Sequence, residues 1–323
     1  MAERSQGLES TALWRAYREK MSSDEERMAW VKKVYEEAVA YLGDVRQDFK
    51  NYTLHDGIHV RNVLDAMGGL LGDWIGKLSA GEIELLILAA CLHDLGMVYT
   101  DEERESAFSR ERACQEFLRE YAPELLGCAS EEWPEDKRQW YLRTLHPFRI
   151  SEVLQNEGWM ELMDSWPVRA VPKRCVLAVC QAHGEGPKEL RINRELEYLA
   201  ASDADPLFCA LLLRLADLLD FDDTRAPRVL YSYAAYNEKS REEWKKHQSS
   251  AGFSYQPVPA GEELPYKARC KNPEIEHAVR HFLDWVDEEL YQCAGLQRYC
   301  RAGWRQEFPF PRAVCRGEIE SDG

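Results

Sequence analysis

The sequence predicts an all-α fold with a small β-hairpin appended in its C-terminal third. Three observations carry that expectation. Apolar residues recur at helical spacing behind recognisable N-caps through most of the chain. Two segments, 83–95 and 207–221, are apolar nearly all round, as helices at the centre of a packed domain are. Strand-type alternation is missing until the region beyond Pro227.

Residues 1–50 read as two helices; Ser23-Asp24-Glu25-Glu26 supplies an N-cap with acids in the first turn, and Met28, Trp30, Val31, Val34 and Tyr35 follow at helical spacing. A helix over 51–67 ends near Gly68-Gly69. Ser79-Ala80-Gly81-Glu82 starts the next, whose apolar body closes at Gly96, just after His93-Asp94. Segments 109–121 and 135–154 are amphipathic, with a polar insertion around Pro134 between them. A helix over 172–183 is stopped by Gly184, and Asp205-Pro206 opens the second apolar helix, which carries Asp217 and Asp220. Beyond Pro227 the character changes. A polar helix over 240–247 precedes two alternating stretches around Pro259-Ala260-Gly261, which read as the hairpin. An amphipathic helix over 274–296 follows, and the tail from Phe308 has the look of a linker to a further domain.

Composition sets limits. No apolar run approaches the eighteen or so residues a membrane span needs, and the first residues lack the apolar segment of a signal peptide; we read the protein as cytoplasmic. The ten cysteines are scattered without a CxxC pair, which favours reduced, buried thiols over disulfides or a zinc-thiolate site. A formal net charge of −16 argues against wrapping duplex nucleic acid, which needs many cations to displace counterions. It does not argue against a small phosphorylated ligand, because a metal centre supplies local positive charge.

The chain has eight histidines, and four fall into an ordered string: His59, His93-Asp94, His146, His183 and Asp217. His55 and His59 stand at i,i+4, which puts both on one face if the segment is helical; alone, such a pair is more often two solvent-facing polar residues than two ligands. Asp94 and Asp217 interrupt apolar helices, where an unpaired carboxylate is expensive to bury. Each needs a cationic partner, either a metal or a basic side chain; for Asp217 the ordinary alternative is Arg214. Singly, His146 and His183 read as satisfied histidines near helix ends.

As an ordered set these residues resemble the HD superfamily of metal-dependent phosphohydrolases, in its dinuclear H…HD…H…H…D form, over roughly residues 50–228. The resemblance implies an HD core at 51–228, an N-terminal helical extension at 1–50 and a C-terminal extension at 229–323. It implies two divalent ions (Mn, Fe, Mg, Ni or Zn) that activate water against phosphorus. Asp94 would bridge them; His59, His93 and Asp217 would complete one site, and His146 with His183 the other. Leu54-His55-Asp56-x-x-His59 is similar to the Tyr-His-Asn-x-x-His motif of cyclic-nucleotide phosphodiesterases, which makes His55 the candidate general acid, although Leu54 and Asp56 depart from that motif. Arg61, Arg149 and Arg225 are candidate phosphate clamps by proximity in sequence. The stretch from 205 to 300 also resembles HD domains of bacterial conflict (anti-phage) systems, where an ATPase domain often follows. The expected substrate is a nucleotide or similar small phosphorylated molecule. The rivals are a single-strand nuclease, which needs a basic, aromatic-lined groove, and a nucleotide sensor signalling to an attached domain.

Overall fold

The computed structural model describes residues 7–43, 55–199, 203–226, 238–255 and 263–321. Among these residues the chain forms fourteen α-helices and one three-stranded sheet, the all-α architecture with a small β appendage that the sequence predicts. The N-terminal helices are α1 (Ala12–Lys20), α2 (Glu25–Leu42) and α3 (Gly57–Leu71), followed by α4 (Ala80–Leu92). Next come α5 (Asp101–Ser109), α6 (Glu111–Tyr121), α7 (Glu135–Val153), α8 (Glu157–Asp164), α9 (Lys173–Ala182) and α10 (Pro187–Ile192). The second apolar helix is α11 (Pro206–Leu219), and α12 (Glu238–Ser249), α13 (Pro273–Leu296) and α14 (Trp304–Glu307) complete the set. Short 3-10 turns link several of them, including Leu95–Met97 directly after His93-Asp94. No single helix is long and apolar enough to cross a membrane.

Helix α4 is the axis of the fold. A capping box fixes its start, Ser79 and Glu82 each satisfying a backbone N–H of the other. Every residue from Gly81 to Leu92 is buried, because α1, α2, α3, α9 and α11 pack around it. α11 begins as the sequence suggests, with Asp205 accepting from Phe208 N and Pro206 in the first turn.

Two carboxylates lie inside this apolar bundle near the start of α4. Glu82 pairs with Arg305 of α14 at 2.5 Å. Glu84 pairs with Arg27 of α2 at 2.5 Å, accepts from the Tyr17 hydroxyl, and takes the Val171 N–H at 2.8 Å. Both are fully buried, and both have ordinary cationic answers.

The C-terminal sheet differs from the expected hairpin. β1 (Ser250–Phe253) does run antiparallel to β2 (Leu264–Cys270), with Ser250 opposite Ala268 and Phe253 opposite Tyr266. The turn expected around Pro259 lies outside the described residues. The tail, expected as a linker, instead supplies β3 (Val314–Ser321), parallel to β2 from Leu264↔Val314 to Cys270↔Ser321. β2 is therefore the central strand and buries Leu264, Tyr266, Ala268 and Cys270 on one face at the period of two that a strand requires. Arg316 of β3 pairs with Asp284 and Asp287 of α13, which fastens the sheet to the helical body. All ten cysteines are unpaired thiols.

Removing one member of the Glu84–Arg27 pair leaves a buried charge without its counterpart. Glu84→Ala should therefore cost about 3–5 kcal/mol of unfolding free energy, read as a lower midpoint in urea denaturation, whereas Glu9→Ala, at an exposed pair with Lys32 that solvent screens, should leave the midpoint in place.

Candidate metal centre

Helix ends deliver most of the site. His93 is the C-cap of α4, with Asp94 next to it, and His183 is the C-cap of α9. Asp217 lies in the last turn of α11, with Asp220 as its C-cap. His59 stands in the first turn of α3, whose N-cap Asp56 accepts from Ile58 N. His146 is the exception: it lies within α7, immediately before Pro147.

Backbone carbonyls orient three of the imidazoles. The last carbonyls of a helix have no intrahelical donor, so His93 Nδ1 finds Ala90 O at 3.1 Å and His183 Nδ1 finds Cys180 O. At His146 the same opening is made by Pro147. Its ring nitrogen carries no hydrogen, so the Arg143 carbonyl four residues earlier loses its usual donor. His146 Nδ1 lies 2.5 Å from that carbonyl. An imidazole that gives its Nδ1–H to a carbonyl presents the Nε2 lone pair as a ligand.

Two groups of donors then meet on one carboxylate. Asp94 Oδ2 lies 3.2 Å from His59 Nε2 and 3.4 Å from His93 Nε2, and Asp217 Oδ1 closes that group at 3.3 and 3.8 Å from the same two nitrogens. Asp94 Oδ1 faces the other way, 3.3 Å from His146 Nε2, which in turn lies 2.7 Å from His183 Nε2. The donor atoms of His59, His93 and Asp217 lie within 4.8 Å of one another, and so do those of Asp94, His146 and His183. The structure thus brings His59, His93, Asp94, His146, His183 and Asp217 into one cluster, with Asp94 common to both halves.

The donors fit divalent metal ions. Ligands about 2.0–2.2 Å from an ion stand roughly 3.0–3.5 Å from each other, which is the spacing in the first group. Nε2 atoms face each other at 3.2 Å in the His59–His93 pair and at 2.7 Å in the His146–His183 pair. Two such lone pairs repel unless a proton or a metal cation lies between them. Burial pulls the His183 ring down to about 3, and the neighbouring His146 and His93 add to the effect. Burial also works against charging His59, but the carboxylates of Asp217, Asp220 and Asp94 outweigh it and push that ring up to about 10. Asp94 and Asp217 remain ionised, because the surrounding imidazoles overcome the cost of burying them.

Asp220, noted in the sequence only as a neighbour of Asp217, turns out to support the cluster. Its Oδ2 accepts from His59 Nδ1 at 2.6 Å and from Arg225 Nη1 at 2.9 Å, and its Oδ1 accepts from Asn62 Nδ2 at 2.8 Å. A carboxylate behind a ligating histidine fixes its tautomer, and removal typically costs 10–100-fold in metal affinity. The signal was present in the sequence: Asp220 ends the same apolar helix that made Asp217 conspicuous.

The basic residues are sorted by direction. Arg225 is buried beside the cluster, engaged with Asp220 and with His55 Nε2 at 3.1 Å. Arg61 leaves the opposite face of α3, pairs with Asp65 at 2.8 Å and donates to Gly7 O at 3.0 Å, so it does not reach the site. Arg149 is also no clamp; it donates to Gly96 O and Val98 O, and covers the Tyr99 ring, tying α7 to the turn after Asp94. Arg214, the alternative partner for Asp217, pairs instead with Glu289 at 2.7 Å and donates to the Ala182, His183 and Glu185 carbonyls. His55 lies in the cluster with Nδ1 on Asp94 Oδ2 at 2.6 Å. Burial lowers its ring to about 3 against the pull of Asp94, and Arg225 at Nε2 lowers it further. His55 is thus held at both nitrogens, by Asp94 at Nδ1 and by Arg225 at Nε2. Leu54, a departure in the motif around His55, lies outside the described residues.

The cluster forms the floor of a cleft of about 1020 Å³ between α6 and α7 on one side and α11, α12 and α13 on the other. A family model, HD-CE, an HD-type domain, matches residues 49–292. No curated protein and no solved structure matches the chain.

Two glycines allow the halves of the cluster to close. A Cβ on Gly96 would stand 2.0 Å from the His146 carbonyl oxygen, and one on Gly184 would stand 2.5 Å from Pro147 Cγ. The His146-Pro147 step is wedged between the residues that follow Asp94 and His183. Gly96→Ala must therefore displace the backbone carrying His146. It should lower stability by about 1–3 kcal/mol and reduce bound metal, whereas Gly76→Ala, where a Cβ meets nothing within 4 Å, should do neither; metal analysis with thermal melts checks both.

Proposed function

The chain belongs to the HD-CE family, and on that footing we propose that it is a metal-dependent phosphohydrolase that uses two divalent ions to cleave a phosphoester or phosphoanhydride of a nucleotide or similar small phosphorylated molecule. The observation that carries this reading is Asp94, which presents one oxygen to the His59–His93–Asp217 group and the other to the His146–His183 pair at the floor of a deep cleft. Ions held there would polarise a phosphoryl group and lower the pKa of water.

The protein's own groups have separable tasks in this proposal. His59, His93 and Asp217 would hold one ion and His146 with His183 the other, with Asp94 offering an oxygen to each. Asp220, accepting from His59 Nδ1, keeps that ring in its ligating tautomer, while His55 fixes the orientation of the Asp94 carboxylate. Arg225 is the one basic candidate from the sequence that lies in the cleft close enough to this cluster to meet an incoming phosphate. The resemblance to HD domains of bacterial conflict systems supports a place in defence, with an attached ATPase domain as the expected partner. A single-strand nuclease finds support in the aromatic lining of the cleft, but Glu116, Glu120, Asp136 and Glu243 line it too and repel a strand of phosphates.

Two measurements follow. Metal analysis of protein purified and reconstituted with Mn²⁺ should give about two ions per chain; His183→Ala should lose about one and Asp94→Ala both. In an assay of the Mn²⁺-loaded protein against nucleotides, dinucleotides and single-stranded DNA, turnover of a small nucleotide should vanish in Asp94→Ala. Wild-type protein that binds no metal and shows no Asp94-dependent turnover on that panel would overturn the hydrolase reading.

A further inference from the structure

The cleft that ends at the carboxylate cluster has an aromatic wall leading outward from it. Phe221 follows Asp220 in the chain, and its ring stacks on Phe282 with centroids 3.9 Å apart and planes inclined by 23°. Phe282 meets Trp285, one turn along α13, edge-on at 5.9 Å. Trp285 is 55% exposed although it lines the cleft. On the α7 side Phe148, two residues beyond His146, is 48% exposed and lines the same cleft. Packing gives no reason to leave these rings open, since Phe221 and Phe282 already satisfy each other. Large aromatic faces left open inside a concave site beside a polar cluster mark ligand contact.

We propose that Trp285 and Phe148 form a nucleobase-binding subsite, holding the base of a mononucleotide-sized ligand whose phosphate lies at the Asp94 cluster. Every base offers a π-face, so stacking suits bases in general. The Lys246 ammonium, 5.8 Å from the Phe282 ring centre and paired with Glu243 at 2.8 Å, sits on the same wall. The rim carboxylates limit the occupant: one phosphorylated end can be taken by the metal-binding floor, but a strand would lay further phosphates against Glu116, Glu120 and Glu243. Only the phosphate end of this inference rests on the hydrolase reading; the base end does not.

Calorimetric titration separates the two. Nucleosides carry no phosphate, so adenosine, guanosine, cytidine or uridine should bind EDTA-treated and Mn²⁺-loaded protein alike. Trp285→Ala and Phe148→Ala should each weaken that binding about tenfold, and Trp285→Phe should restore most of it. Inorganic phosphate binding to the Mn²⁺-loaded protein, and its metal content, should be unchanged in all three variants. Loss of metal-dependent phosphate binding in the wild type would sink the hydrolase reading while leaving nucleoside binding intact. Wild-type protein that binds none of the four nucleosides, or variants that bind them as tightly as wild type, would overturn the subsite. So would affinity for single-stranded oligonucleotides that climbs with length above that of a mononucleotide, which would identify a strand as the occupant.

Discussion

The carboxylate of Asp94 is shared between two sets of imidazoles, and the surrounding structure is arranged to permit that sharing. Its position is set by α4, a helix buried from Gly81 to Leu92, whose C-cap His93 it directly follows. The groups that reach it come from four other segments: α3, α7, α9 and α11. Each of these had to end, break or approach closely at the right point. Pro147 opens a carbonyl within α7, Gly96 and Gly184 let α7 come into contact, and Asp220 holds His59 from behind.

α4 also contains its own comparison. Glu82 and Glu84 are as deeply buried as Asp94, on the same helix, yet arginines answer them. Burial of a carboxylate in an apolar helix therefore demands a partner without saying which kind. What distinguishes Asp94 is that imidazoles surround it: His93 and His146 turn their Nδ1 to backbone carbonyls and face it with Nε2, while His55 meets it with Nδ1. An arginine brings its own hydrogens to a carboxylate; an Nε2 lone pair does not.

This difference explains how much of the molecule was legible in the sequence. The all-α class was readable because periodicity and caps are local signals, and the capping boxes and the Asp205-Pro206 start lie where those signals place them. Asp94 and Asp217 stood out because their helices were otherwise apolar. His146 and His183 could be chosen only by their order in the chain, since the carbonyls that orient them are invisible without the backbone. Asp220 satisfied the same criterion as Asp217 and was passed over. The arginines were the least readable, because sequence proximity says nothing about which way a long side chain leaves its helix: Arg61 and Arg149 point to other tasks, and Arg214 serves Glu289. β3 was missed for a related reason, as its partner strand lies some fifty residues earlier and the pairing is parallel.

The way the helices end at the site has a consequence of its own. α4, α9 and α11 all terminate at the cluster by their C-termini. Each such end carries the negative pole of the aligned peptide dipoles, about half an elementary charge. At these three ends the main chain adds to the charge of Asp94, Asp217 and Asp220, while α3 brings its positive, N-terminal end to the same cluster at His59. Three negative poles against one positive leave the net field of the main chain favourable to a cation at the floor of the cleft.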